Sequence, residues 1–513
     1  MRITLVLHTV GLILRYFALV MVLPVAVELI YGDWYDSIGF LIAAGSAAIV
    51  GEVLRRLHRK GEELFRVEGL AVVALVWLVV ACFGSIPYLW GGLGLMDSLF
   101  ESMSGFTTTG ATILTDFSLY TRGLFFWRAL TQWLGGMGVL ALFLAILPAL
   151  SVAGRQLFFA ETPGPQEERL TPRIRHTAIA LWSVYAALSL VEVIALVVTG
   201  MPLYDAVCNT FTTMAAGGFS PNPYSIGGYQ NPAAEWVIIV FMFLAGANYS
   251  LQYLVIRGKG TRLLKDEEFR VYTVVVLGSA LLLFVALFSF ASAPSPEYIA
   301  SEYTIGAIEE AATHDVVRHS LFQVLSITTT TGFATDDFSL WNDQALAVLL
   351  ILMFVGGCAG SAAGGPKVVR HWLIAKQAFR ELVRAIHPNV VKPIRLGGRV
   401  VPQEVMRSIT AFMFLYLLTF MVSVTILTLY GSTLITGITA SIATLGNIGP
   451  GFGAVGPMAN YAHLPLVSKI VLFLNMWIGR LEVLTVLVLL QPSVWRTATL
   501  RERHRRLPST SRS

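Results

Sequence analysis

Four short runs of the chain share one pattern of residue types and suggest one chemistry: Thr107-Thr108-Thr109-Gly110-Ala111, Ala215-Ala216-Gly217-Gly218-Phe219, Thr329-Thr330-Thr331-Gly332-Phe333 and Gly446-Asn447-Ile448-Gly449-Pro450. Their aligned glycines, Gly110, Gly218, Gly332 and Gly449, stand 108, 114 and 117 residues apart, a near-regular spacing that marks an internal repeat. A dehydrated alkali cation needs oxygen ligands in place of its water, and a ring of backbone carbonyls supplies them without fixed charge. Glycine permits the positive φ values that turn successive carbonyls toward one axis, where a Cβ would obstruct them. The candidate ligands are therefore the backbones of Thr108, Thr109 and Gly110, of Ala216, Gly217 and Gly218, of Thr330, Thr331 and Gly332, and of Asn447, Ile448 and Gly449.

Each run follows a segment, such as Met96–Thr107 or Val316–Thr328, that reads as a half-length helix. The C-terminal end of such a helix carries partial negative charge, so four ends aimed at one cavity favour a cation over an anion. Taken singly, a Thr-Gly pair is an ordinary helix cap. Four copies at one topological position reverse that reading.

Two further stretches carry chemistry. In the middle of a hydrophobic segment stand Gly356, Gly357, Cys358, Ala359, Gly360, Ser361, Ala362, Ala363, Gly364 and Gly365, followed by Pro366 and Lys367. Helix is disfavoured by about 1 kcal/mol for each glycine and about 3 for proline, so this segment should unwind beneath the turns and form a plug. Close helix packing through small residues is the plainer alternative. Arg480 lies in the last apolar segment, where a charge is expensive and marks an ion pathway or an ion pair. Glu482, two positions on, faces elsewhere on a helix and is not expected to be its partner.

The elements that must hold these residues are membrane spans. Of 513 residues, 55% are hydrophobic and 13% charged, and the mean hydropathy is +0.69, far from a soluble chain. Apolar runs long enough to cross the bilayer recur from end to end. We expect spans at 4–30, 38–55, 68–87, 127–150, 176–199, 233–256, 270–292, 341–376, 407–430 and 467–491. The first is read as a retained helix, because Arg15 interrupts it and no small-residue cleavage site follows. Cys82, Cys208 and Cys358 are too scattered for a disulfide framework or a thiolate metal site.

Twenty-nine of the 36 Lys and Arg residues fall in five clusters, Arg55 to Arg66, Arg155 to Arg175, Arg257 to Arg270, Lys367 to Arg407 and from Arg496 onward. The positive-inside bias makes these the cytoplasmic side, with both termini inside. The connector 291–340 carries Glu297, Glu302, Glu309, Glu310, Asp315, Asp336 and Asp337 and faces outward, where acids would concentrate cations. The expected organisation is two N-terminal helices (1–60), four repeats (61–170, 171–262, 263–400 with the plug, and 401–495) and a basic tail (496–513). The fold class is an all-α membrane protein, with four pseudo-symmetric repeats of helix, pore helix and helix around one central pore.

Several motifs also resemble a known group. Ser102-Met103-Ser104-Gly105-Phe106 leading into Thr107 to Ala111, Gln132-Trp133-Leu134-Gly135-Gly136-Met137-Gly138, Glu161-Thr162-Pro163-Gly164, Asn248-Tyr249-Ser250 and Gly446 to Gly451 are similar to the superfamily of Trk, Ktr and HKT potassium transporters, and to its TrkH-type bacterial branch. The likeness runs from about residue 65 to 492 and, with the two extra N-terminal helices, fits TrkH better than the eight-span Ktr form. It implies K⁺ as the transported ion, a homodimer in the bacterial cytoplasmic (inner) membrane, and a cytoplasmic nucleotide-binding regulatory subunit of TrkA type. It further implies that the 356–365 loop is the intramembrane gate, with Pro366 standing where an aliphatic residue is expected, and that Arg480 is an electrostatic barrier below the filter. Within the superfamily a serine in place of the first-repeat glycine goes with Na⁺ transport; Gly110 is kept here.

An enzyme is disfavoured, since no HExxH, Gly-x-Ser-x-Gly or P-loop pattern is present. No nucleic-acid partner is expected. The stronger rivals are a sodium-conducting protein and an ion-coupled secondary transporter with alternating access.

Overall fold

The computed structural model describes residues 2–58, 64, 66–146, 170–289 and 313–490. The Glu161 to Gly164 motif, the acids Glu297, Glu302, Glu309 and Glu310, and the basic tail lie outside the described residues.

Six described helices are long and apolar enough to cross a membrane: Ile3–Tyr31, Ser37–Arg55, Val67–Trp90, Ala178–Val198, Glu267–Phe288 and Gln403–Leu429. They fall where six of the ten spans are expected. Ile3–Val20 and Ser37–Arg55 lie close because Gly11 and Gly51 face each other. A Cβ on Gly11 would stand 2.6 Å from the Gly51 carbonyl oxygen, the small-residue contact that lets helices in lipid approach.

Four short helices interleave with these: Leu95–Phe106, Leu203–Met214, Thr313–Thr328 and Leu434–Leu445. Each packs on the long helix before it and on the helix after its loop, and each also meets one helix from elsewhere in the chain. Leu95–Phe106 meets Leu466–Arg480, Leu203–Met214 meets Arg122–Ile146, Thr313–Thr328 meets Pro232–Gly246, and Leu434–Leu445 meets Asp343–Met353. The apolar interior divides accordingly, one cluster around Phe322, Phe338 and Leu349 and another around Phe106, Trp127 and Met476. Helix starts follow their capping residues: the side chains of Asn231, Asn342 and Thr433 accept from the backbone N–H three positions on.

The other expected spans differ from single crossings, apart from 127–150, which is the 25-residue helix Arg122–Ile146. The segment 233–256 is two helices, Pro232–Gly246 and Tyr249–Ile256, bent by 107°. Ala247 is extended and Asn248 begins the second helix, its side chain accepting from Ser250 N at 2.8 Å. The segment 341–376 is Asp343–Met353 and Val368–Ile386, with non-helical chain between them. The segment 467–491 divides into Leu466–Arg480 and Val483–Leu490, with Glu482 at φ 62° between.

Candidate functional site

The four glycine runs adopt one backbone conformation. Thr108, Ala216, Thr330 and Asn447 have φ of 50°, 55°, 59° and 55°, and two residues later Gly110, Gly218, Gly332 and Gly449 have φ of 79°, 76°, 79° and 104°. Each run closes its short helix in the same way. The N–H groups of Thr109, Gly217, Thr331 and Ile448 reach back to the carbonyls of Ser104, Thr212, Ser326 and Ala443 at 2.9, 2.8, 2.8 and 2.7 Å. The N–H groups of Thr108, Ala216, Thr330 and Asn447 reach Gly105, Thr213, Ile327 and Thr444. This pair of bonds is the Schellman arrangement, whose left-handed position is ordinarily glycine. Threonine, alanine and asparagine occupy it here, a local strain that the surrounding packing must hold.

The loops also touch in cyclic order. A Cβ on Gly110 would overlap the carbonyl oxygen of Gly217, one on Gly218 that of Thr331, one on Gly332 that of Ile448, and one on Gly449 would stand 2.6 Å from that of Thr109. Each glycine thus rests on the residue preceding the glycine of the next loop, and the fourth returns to the first. All four glycines line one open cavity, together with Thr112, Phe219 and Tyr461. Asn447 Nδ2 bonds Thr109 Oγ1 at 2.9 Å and the Met476 carbonyl at 3.0 Å, joining the last loop to the first.

Among the described residues that line that cavity none is a carboxylate. Asp315 is held by Arg318 at 2.5 Å. Asp336 accepts from Trp341 Nε1 at 2.8 Å, and burial pushes its carboxyl above the usual range. Asp337 caps Phe338–Leu340, as Asp116 caps Phe117–Leu119.

Beneath the loops lies the non-helical chain from Phe354 to Lys367. Its backbone is bonded on every side: Gly356 N to Pro366 O at 2.8 Å, Val368 N to Gly357 O at 3.1 Å, Cys358 N to Gly246 O at 2.9 Å, and Ala362 N to Ala245 O at 3.2 Å. Gly360 O accepts from Tyr249 N at 3.1 Å, and Ala359 N donates to Glu268 Oε1 at 2.7 Å. Gly364 N donates to Thr330 Oγ1 at 2.6 Å, so this chain touches the third glycine loop directly. Ser361 and Ala363 are buried with it, and Gly365 takes φ 62° at its lower end. The carbonyls freed by the 107° bend are thus taken up by this non-helical chain, which is why the two irregular stretches lie together.

Arg480 is buried and donates from Nη1 to the Ala362 carbonyl at 3.1 Å and from Nη2 to the Gly135 carbonyl at 3.3 Å. Among the described residues no carboxylate lies within ion-pair distance of it, which leaves the salt-bridge reading of this arginine without a partner. Glu482 pairs instead with Arg370 at 2.5 Å.

Comparison with known proteins bears on this arrangement. The TrkH family model, described as cation transport protein, matches residues 40–496. This chain belongs to the TrkH family. A TrkH relative from Salmonella typhimurium, a Trk system potassium uptake protein, is 37% identical over 95% of this chain and 98% of its own. TrkG of Escherichia coli, carrying the same description, is 31% identical over 96% and 98%. The crystal structure of the potassium transporter TrkH from Vibrio parahaemolyticus superposes with a TM-score of 0.86 at 33% identity, over 96% of this chain and all of that one. The family is one of transport proteins and not of enzymes.

In this TrkH-family chain several supporting residues escaped sequence reasoning. Gln132 grips the second loop, Nε2 donating to Gly217 O at 2.8 Å and Oε1 accepting from Phe219 N at 3.1 Å. Arg128 and Glu101 form a wholly buried pair at 2.8 Å, and Glu101 also accepts from Ile113 N while the guanidinium lies 3.9 Å over the Phe219 ring. Arg318 pairs with Glu235 at 2.7 Å, fastening the third short helix to Pro232–Gly246. The available signal was charge inside apolar segments. Removing one partner of such a pair strands the other. Arg318→Met is therefore expected to cost about 3 to 5 kcal/mol of stability, read as a lower thermal midpoint of the detergent-purified protein; an unchanged midpoint counts against it.

Proposed function

We propose that this chain carries K⁺ across the bacterial cytoplasmic membrane through one central pore formed by its four repeats, with both termini on the cytoplasmic side. In this reading the backbones of Thr108 to Gly110, Ala216 to Gly218, Thr330 to Gly332 and Asn447 to Gly449 are the selectivity filter. The observation that carries it is the closed cyclic contact of the four loops around a shared cavity. Each loop directly follows the C-terminal end of a short helix, whose partial negative charge suits a cation stripped of water.

The loop from Gly356 to Gly365 acts as the intramembrane gate. Its bond to Thr330 and its hold on the bent second repeat support that role, because movement of this chain must alter both. Arg480 is the electrostatic barrier beneath the filter, held toward the gate by the Ala362 carbonyl. The potassium description of the relatives and the retained Gly110 both favour K⁺ over Na⁺. A homodimer and a cytoplasmic nucleotide-binding subunit of TrkA type belong to the same proposal, on family likeness.

Purified protein in proteoliposomes, loaded with K⁺ and given an outward gradient, is expected to take up Rb⁺, and external K⁺ should suppress that uptake more strongly than Na⁺. Uptake suppressed more by Na⁺ than by K⁺ overturns the substrate.

A further inference from the structure

The four filter loops are alike in sequence position but not in the electronic state of their carbonyls. Among the described residues no protein donor reaches the carbonyls of Gly110, Gly218 or Gly332, whereas the Gly449 carbonyl accepts the Tyr461 hydroxyl at 2.7 Å. The backbone records the same asymmetry. Three glycines have φ of 79°, 76° and 79°, and Gly449 has 104°. Tyr461 is fixed for this contact. Its ring is buried, lies 5.6 Å from that of Phe100, and its N–H bonds the Thr112 carbonyl at 2.9 Å. The residue lines the cavity that the four glycines share.

We infer that Tyr461 is a specificity-determining positioning residue, which draws the Gly449 carbonyl aside and weakens it as a cation ligand, so that the outermost ion site has three strong oxygens and one shared oxygen. The inference rests on the transport reading above. A carbonyl oxygen already accepting a hydrogen bond offers less electron density to an ion. Na⁺ holds its water more tightly than K⁺, and only strong ligands repay its dehydration. A weakened site therefore penalises Na⁺ more than K⁺. Tyr461 thus sharpens discrimination by setting one of four otherwise similar loops apart.

The test compares Y461F with wild type in proteoliposomes, measuring how far external Na⁺ and external K⁺ each suppress Rb⁺ uptake. The phenylalanine keeps the ring and removes only the hydroxyl. Na⁺ should become a stronger competitor relative to K⁺ by about threefold, in keeping with the loss of one hydrogen bond. A merely structural role would lower the uptake rate and leave the ratio unmoved. Wild-type uptake with an unchanged ratio in Y461F overturns the Tyr461 role alone; absence of Rb⁺ uptake by wild type overturns the transport reading and this inference together. Where the variant does not fold, the wild-type structure with Rb⁺ bound decides. The outermost ion is expected within ligand distance of the Gly110, Gly218 and Gly332 carbonyls and displaced from Gly449, and four equal distances overturn the inference.

Discussion

Rb⁺ uptake into proteoliposomes is expected to fall at least about tenfold when Gly332 is replaced by alanine, since two costs of more than about 1 kcal/mol each fall on one small loop. Gly332 sits at φ 79°, where an L side chain is strained. Its Cβ would also overlap the Ile448 carbonyl oxygen, a group this reading assigns to the ion. Neither atom can give way without moving a neighbouring loop, because Ile448 N is itself tied to Ala443 O at 2.7 Å. The protein should still fold: the added methyl group leaves the short helix Thr313–Thr328 and its ion pair with Glu235 untouched. A thermal midpoint close to wild type together with lost uptake is the expected pair of results. Wild-type uptake by Gly332→Ala would remove these carbonyls from the ion path.

The second large effect has the opposite sign. Arg480→Gln is expected to raise basal Rb⁺ uptake several-fold. The guanidinium places a full positive charge below four inward-facing helix ends, in a region of low dielectric where repulsion of a cation is weakly screened. Glutamine keeps an N–H donor but ends two bonds short of Nη1, so it removes the charge and loosens the bond to the Ala362 carbonyl together. Arg480→Lys keeps the charge and should keep uptake low. Equal basal uptake in the glutamine variant and wild type would assign Arg480 to holding Ala362 and Gly135, with no electrostatic part.

The shared conformation of the four loops was legible in the residues because glycine marks it. Gly110, Gly218, Gly332 and Gly449 mark positions where backbone geometry leaves little choice, and their spacing survives the divergence of everything between. The unwound stretch between Met353 and Val368 was legible for the same reason, five glycines and a proline being hard to fit in a helix. A further shared motif was present and unread: Asp116-Phe117-Ser118-Leu119 and Asp337-Phe338-Ser339-Leu340 form the same capped turn after the first and third loops.

What stayed hidden depends on distant parts of the chain. Thr108, Ala216 and Thr330 give no sign of a left-handed conformation, because it is imposed by the cap bonds and the adjoining loops. The bend at Asn248 lies in a segment whose mostly apolar residues read as one span, although Asn248, Ser250 and Gln252 stand within it. Its exposed carbonyls find their partners in Cys358 and Ala362, which no local window contains. The partners of Arg480 are backbone carbonyls, and carbonyls carry no sequence signature.

The closing contact of the ring lies between the first loop and the last, with Asn447 bonded to Thr109 across 338 positions of chain. Ribosomal synthesis delivers the first loop long before the fourth exists. On the proposed transport reading, a partly made chain has three of the four loops and no complete set of oxygens to strip an ion of its water. Competence to conduct then depends on insertion of the final segment.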